Sequence, residues 1–241
     1  MTKPTTKRIF GQSHEPDEGW LAKAVPETAL EPQLPIVDAH LHSLHRGEYR
    51  YLLEEYAHDL AACGHNVVAT VAAECRAMYR AYWPDHLKCV GETTFLVGIA
   101  AMAASGEYTA ARVAASIVAF ADLTLGDRTR ETREAHKEAA NGRLAGIRQA
   151  GKWDSDPAVR GAIGPGRAGF YLEPEFGKGL DVLAAMGLTF DASVFHTQIP
   201  DVVSLARAHP GANIVLIHTG SPMEQAGYAG KEAQVHATWL A

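Results

Sequence analysis

Two histidines one residue apart, His40 and His42, close the run Pro35-Ile36-Val37-Asp38-Ala39-His40-Leu41-His42. Side chains two apart on an extended strand point to the same side. Both imidazoles therefore project together, with Asp38 one step below. Adjacent imidazoles can share a metal ion, or bind and polarise one substrate. The spacing alone is unspecific, because the chain has 12 His in 241 residues and two solvated histidines at a strand end are the bland alternative. The surrounding pattern carries more. Further apolar runs also end in or near polar groups: Glu74 after 65–73, Asp122 near the end of 114–123, Arg148 in 144–149, His196 closing 188–196 and His218 closing 213–218.

Those runs are short and β-rich, and the segments between them have helical periodicity. The spacing predicts helices over 49–63, 91–104, 127–140, 175–186 and 200–208, and again from 232 to 240. Residues 76–110 make a longer connection than a βα link needs, with Tyr79, Tyr82 and Trp83 in it, which suits a mouth-covering loop or a packing insertion. Residues 151–172 are a Gly- and Pro-rich loop. Strand and helix alternate six times, which means a parallel sheet with helices outside. No Gly-x-Gly-x-x-Gly or Gly-x-x-x-x-Gly-Lys-Ser/Thr follows a strand, so a nucleotide fold has no support. Polar groups at six strand ends favour a barrel over a doubly wound sheet. The expected fold is α/β, a TIM-barrel-like (β/α) parallel sheet with six of eight βα units, hence an incomplete barrel with two open edges. Residues 1–33, with five acidic residues and Pro4, Pro16 and Pro26, read as an N-terminal arm or irregular lead-in. Residues 34–241 read as the barrel domain.

The net charge of −6 and the lack of a basic patch argue against nucleic acid. No run of 18 apolar residues could span a membrane, and residues 1–35 lack the apolar core of a signal peptide. Three cysteines (63, 75 and 89) without Cys-x-x-Cys spacing indicate neither a disulfide framework nor a cysteine zinc site. The expectation is a cytoplasmic protein acting on a small-molecule substrate, with a homo-oligomer left open.

Asp38-Ala39-His40-Leu41-His42, then His196, then His218 followed by Gly220 and Pro222, resemble the amidohydrolase superfamily. Val67-Val68-Ala69-Thr70-Val71, Glu74-Cys75-Arg76-Ala77-Met78-Tyr79, Val90-Gly91-Glu92-Thr93, Gly146-Ile147-Arg148 and Ala168-Gly169 are similar to its amidohydrolase-2 branch, which holds lactone hydrolases and some decarboxylases. The resemblance runs from about residue 34 to 241. It implies His40, His42 and His196 as ligands of a divalent metal, zinc first, with a metal-free mechanism as the alternative. It also implies His218 as a catalytic group at the substrate carbonyl, Arg148 at a substrate carboxylate or hydroxyl, and Glu74 in substrate binding. The implied reaction is the opening of a lactone or related cyclic ester by activated water. Decarboxylation of an unsaturated carboxylic acid, or an inactive truncated fragment, are the alternatives. The chain departs from the family's pattern at Leu41, Ser43 and Leu44, at Ile217-His218-Thr219-Gly220-Ser221-Pro222, and in having no counterpart of the strand-eight Asp that serves as metal ligand and base.

Plainer roles stand beside these. Glu74 suits an ion pair with Arg76 or Arg148. Asp122 suits a helix start, and Asp38 suits orienting a His or pairing with an Arg. Cys75 suits a small buried hydrophobe. His14, His45, His58, His65, His86, His136, His209 and His236 read as solvated. The functional reading requires His40, His42, His196 and His218 to converge in one pocket.

Overall fold

Apolar runs bounded by polar ends become neighbouring strands when the helices between them can cover the sheet. In the computed structural model, which describes residues 16–240 except 26, 48, 160, 162 and 163, six such runs do so. Residues 1–15 of the expected arm, His14 included, lie outside the described residues. In chain order the elements are α1 (Glu18–Leu21), β1 (Pro35–Leu41), β2 (Leu44–Arg46), β3 (Tyr49–Tyr51), α2 (Leu53–Ala62), β4 (Asn66–Ala73), α3 (Val90–Ala103), β5 (Arg112–Ala119), α4 (Thr129–Ala139), β6 (Leu144–Ala150), α5 (Pro174–Ala184), β7 (Thr189–Ser193), α6 (Ile199–Ala208), β8 (Asn213–Leu216) and α7 (Glu232–Leu240). Strands β1, β4, β5, β6, β7 and β8 pair in that order, all parallel. They curl into an incomplete, TIM-barrel-like half-barrel. Its outer strands are β1 and β8, and among the described residues neither has a partner on its outer side. Pro35 opens β1, where a residue without an N–H removes one edge donor. No helix among the described residues is long and apolar enough to cross a membrane.

Two boundaries differ most from expectation. The helix expected over 49–63 begins only at Leu53, because Tyr49-Arg50-Tyr51 pairs antiparallel with Leu44–Arg46. Gly47, at φ 57°, turns the chain between them, and the two tyrosines suit a strand better than a helix. The strand expected over 114–123 ends at Ala119. Asp122 instead caps the short 3₁₀ turn Leu123–Arg128, accepting from the Thr124 backbone N–H at 3.0 Å and the Thr124 hydroxyl at 2.7 Å.

The core lies between the sheet and helices α3, α5 and α6, and its densest part is aromatic. Phe176 packs edge-on against Phe170 and Phe190, with ring centroids 5.2 and 5.4 Å away, and lies 4.8 Å from Tyr171. These rings hold the C-terminal half of the sheet against α5. The Tyr171 hydroxyl then donates to the Gln149 carbonyl at 2.6 Å and accepts the Ser193 N–H at 3.1 Å, tying the ends of β6 and β7 together.

His136 is a correction: it is fully buried, not solvated. It sits on the inner face of α4, with Nδ1 2.8 Å from the Thr93 hydroxyl and Nε2 2.8 Å from the Phe120 carbonyl. The surrounding helix is so charged that its inner face is hard to read from composition. Nε2–H donates to Phe120, and Nδ1 accepts from Thr93. Burial lowers the His136 pKa from 6.5 to about 4, against the opposing pull of the Phe120 carbonyl. The folded chain thus resists a proton that the unfolded chain takes up. The stabilisation is complete above pH 6.5 and is lost as pH falls towards 4. Between pH 7 and 5 it amounts to on the order of 2 kcal/mol. Urea denaturation should therefore show a larger loss of stability from pH 7 to 5 in the wild type than in His136→Gln. Equal losses in the two proteins would refute this assignment.

Candidate active site

Strand β1 does not run straight to its histidines. Asp38 pairs with Thr70 and Leu41 with Ala72, so β1 uses one residue more than β4 between those pairs. A bulge of this kind re-aims the side chains beyond it. Asp38 turns towards α2, where Oδ2 accepts from the Tyr56 hydroxyl at 3.1 Å, while Oδ1 accepts the His40 N–H at 3.1 Å. The expected same-sided row of Asp38, His40 and His42 is therefore broken. Asp38 serves the strand backbone and Tyr56, not an imidazole ring or an arginine.

Arg148 is the hub. It reaches from β6 past the end of β5 to the end of β4. Its Nε donates to Glu74 Oε1 at 2.8 Å, its Nη2 donates to the Glu74 carbonyl, and its Nη1 meets His40 Nε2 at 3.0 Å. Glu74 is the buried counter-ion of Arg148, the ion pair expected for it beside a substrate role. Its second oxygen, Oε2, is buried without a partner among the described residues. On the other side of Arg148, its register partner Asp191 is buried, which raises the Asp191 carboxyl above its ordinary value against the pull of the guanidinium.

The turn after β4 that presents Glu74 is itself propped from α3. Glu92 is the only charged residue in Val90–Ala103, and it is buried. Its Oε1 accepts the N–H of Cys75 at 2.8 Å and of Ala77 at 3.1 Å. These bonds support a turn with Arg76 and Met78 at φ 62° and 52°. Gly91 is required beside it, because a Cβ there would lie 2.4 Å from the Met78 carbonyl oxygen. A lone acid in an apolar helix is the sequence signal for this prop. Cys75 is no nucleophile: burial first, then Glu92, pushes its thiol up to about 12.

Three imidazoles surround the free end of Arg148. His40 and His42 meet Nε2 to Nε2 at 3.2 Å, and the His40 ring lies 4.8 Å from that of His218, centroid to centroid. His42 Nδ1 lies 2.9 Å from the Ala73 carbonyl. Donation there fixes the tautomer and leaves His42 Nε2 an acceptor. Its contact with His40 then needs a proton on His40 Nε2, whereas the contact with Arg148 needs a lone pair on the same atom. Only one of the two can be a hydrogen bond at a time, and a polar ligand atom placed between them would satisfy the other. Burial, then His42, Arg148 and His218, lower the His40 pKa to about 3. Burial also lowers that of His42, against the Ala73 carbonyl. His218 stands in the turn Ile217–Gly220 at φ 53°, open to solvent on one side. Its covered side, with Lys152 and Arg148 behind it, lowers its pKa.

His196 does not join them by any ring contact. The first turn after β7 buries it against Tyr228, with centroids 5.3 Å apart, and Asp154 is its charged neighbour. Its Nδ1 has no partner among the described residues. His40, His42 and His218 are thus brought together with Arg148, and His196 packs against Tyr228. The strand ends at Ser193, so the 3₁₀ turn His196–Gln198 sets the direction of this ring, and a strand-based reading could not supply it. Lys152, two residues beyond β6, was missed: it lies in a Gly- and Pro-rich loop whose course no periodicity defines.

The 3.2 Å between the two Nε2 atoms is close to the ~3.3 Å edge of a tetrahedral site with 2.0–2.1 Å bonds. A third donor is what fails. Among the described residues no group of three or more His, Cys, Asp or Glu is placed to hold a metal ion. The position facing His40 Nε2 is taken by a guanidinium, which repels a dication. The residues present do not fit a resident divalent ion.

The amidohydrolase family model matches residues 37–241. An uncharacterized protein, y4mH, of Sinorhizobium fredii (strain NBRC 101917 / NGR234) is 28% identical over 174 residues, which is 72% of this chain and 51% of that protein. Two crystal structures of an amidohydrolase from Burkholderia multivorans superpose with a TM-score of 0.54 each. One, with bound zinc, is 24% identical over 84% of this chain and 62% of its own. The other, with bound HEPES, is 23% identical over 84% and 63%. At that identity the likeness is one of fold. The chain spans about half the length of the curated relative and about six tenths of the solved structures.

The Arg148–Glu74 pair gives a test of the hub. Both side chains are nearly enclosed, so removing one partner strands the other's charge, at a cost of about 3–5 kcal/mol. In urea denaturation, Arg148→Met and Glu74→Gln should each be strongly destabilised. The double variant should be less unstable than the sum of the two. Strict additivity would mean that the pair is not coupled.

Proposed function

Because the chain belongs to the amidohydrolase family, we propose that its site is that of a hydrolase opening a lactone or a related cyclic ester without a resident metal. The observation that carries this reading is the unmet contact at His40 Nε2, with the Arg148 Nη1 donor 3.0 Å away. A substrate carbonyl oxygen that accepts from Nη1 releases His40 Nε2–H to donate to His42, so both contacts are then made. Negative charge grows on that oxygen as water adds, and a donor already fixed by Glu74 strengthens without having to move.

His218 suits the proton transfer. It is neutral at neutral pH and is the most open of the three imidazoles. The water oxygen bonds to the carbonyl carbon, and its proton goes to the His218 ring. The ring C–O bond then breaks, and the same proton passes to the departing alkoxide, leaving a hydroxy acid. Glu74 takes a positioning role, through Arg148.

The test is a proton-release assay on neutral and acidic sugar lactones, using protein with and without prior chelator treatment. We expect turnover that survives the chelator, and a fall in kcat of about 10²–10⁴ in His218→Asn with unchanged thermal melting. Activity lost with the chelator and restored by zinc would overturn the metal-free part. Carbon dioxide released from an unsaturated carboxylic acid, with every lactone left intact, would replace hydrolysis by decarboxylation.

A further inference from the structure

The loops after β6, β7 and β8 form a half-open cavity of about 320 Å³ that none of the histidines lines. Lys152, Phe195, Ser221, Met223 and Glu224 line it. Val159, Phe195 and Met223 form a small buried apolar cluster beneath it, with Tyr228 packed alongside. Gln198 holds two of these loops in place. Its Oε1 accepts the Trp153 N–H at 2.9 Å and the Phe195 N–H at 3.3 Å, and its Nε2 donates to the Gly151 carbonyl at 2.8 Å.

Lys152 is the unusual group in this cavity. It is half-buried, with its Nζ over the Phe195 ring, 5.4 Å from the centroid. Among the described residues its ammonium has no hydrogen-bond acceptor and no acid within ion-pair distance. Glu224 lines the same cavity but is exposed and makes no ion pair with it. An ammonium has three donors and no acceptor capacity, and donors withdrawn from water call for an acceptor. The Ser221 hydroxyl, in the same lining, is buried without a partner among the described residues. Lys152 also acts on the reaction centre: its charge bears on His218, and that of Arg148 bears on it. The cavity thus offers a cation and a hydroxyl, both lacking acceptors, next to the place where the carbonyl would sit.

We propose that Lys152 is a specificity-determining residue that holds a carboxylate of the substrate in this cavity, so that acidic lactones are preferred over neutral ones. The inference rests on the hydrolase reading for the identity of the ring, but the anion subsite itself can be tested by binding alone. A carboxylate there supplies acceptors to Lys152 and Ser221 and places a negative charge opposite the surplus ammonium. Phe195 shields the contact from water and strengthens it. The subsite fixes the far end of the substrate, so its effect falls on binding, whereas Arg148 and His218 act at the carbonyl.

The probes are two ring-opened hydroxy acids, D-galactarate and D-galactonate, which differ only in having a carboxylate or a hydroxymethyl group at C6. Titration calorimetry on the full chain compares the wild type with Lys152→Gln and the charge-retaining Lys152→Arg. We expect the wild type to bind galactarate more tightly than galactonate. Lys152→Gln should weaken galactarate by about ten- to a hundredfold and leave galactonate unchanged, and Lys152→Arg should keep most of the preference. Equal weakening of both ligands, no weakening of either, or no preference in the wild type would each overturn the proposal. If lactone turnover is found, Lys152→Gln should raise KM for D-galactaro-1,4-lactone by far more than it changes kcat. Preferential binding of galactarate with no lactone opened would leave the subsite standing and remove the hydrolase reading.

Discussion

A guanidinium withdrawn from water must have a counter-ion, and here that requirement organises the rim of the sheet. Arg148 stands on β6 and its partner Glu74 follows β4, so β5 lies between them and the pair fixes three strand ends at once. The geometry leaves Nη1 as the free corner of the guanidinium, and that corner faces His40. Glu74 cannot drift, because Glu92 clamps the turn behind it through the N–H groups of Cys75 and Ala77. Arg148 cannot drift either, because the Tyr171 hydroxyl stitches β6 to β7 one residue further along. Two buried acids and one buried arginine would be poor choices for stability alone, since well-packed apolar groups of similar size do as well or better. Their value lies in holding one N–H donor at a fixed place.

The parts of this arrangement that were legible in the sequence are those that a parallel sheet forces. Each strand is an apolar run, and each run ends at the rim of the sheet, where polar groups gather. His40, His42, Glu74, Arg148 and His218 could therefore be placed at strand ends from pattern alone, and the half-barrel followed from six repeats. What was not legible depends on single residues out of pattern. The bulge at Asp38–Leu41 changes which way Asp38 points, and no alternation in Pro35–Leu41 announces it. The Tyr49–Tyr51 strand was hidden because its neighbours share helical spacing. His136 looked solvated in the charged segment Thr129–Ala139, yet that helix turns it fully inward. His196 and Lys152 lie in connections whose direction is set by tertiary contacts with Tyr228, Gln198 and Phe195, and these come from distant parts of the chain.

The same electrostatics divides labour among the imidazoles. A histidine partly withdrawn from water and beside a guanidinium cannot readily take a proton, and His40 is lowered to about 3. It is then too weak a base to carry a proton at neutral pH, and its value is as a neutral acceptor and donor that completes the hydrogen-bond circuit with His42 and Arg148. His42 is tied down further by the Ala73 carbonyl, which spends one of its nitrogens on structure. His218 is different. It is reached through a left-handed turn beyond β8, and part of its ring meets solvent, so water can solvate the charge it gains. In the proposed hydrolase, proton transfer would fall to the open His218 and the carbonyl to the more buried Arg148. A site with all three imidazoles equally buried would have the donors in place but nowhere to put the proton, which makes the open position of His218 as important to this reading as the closed position of Arg148.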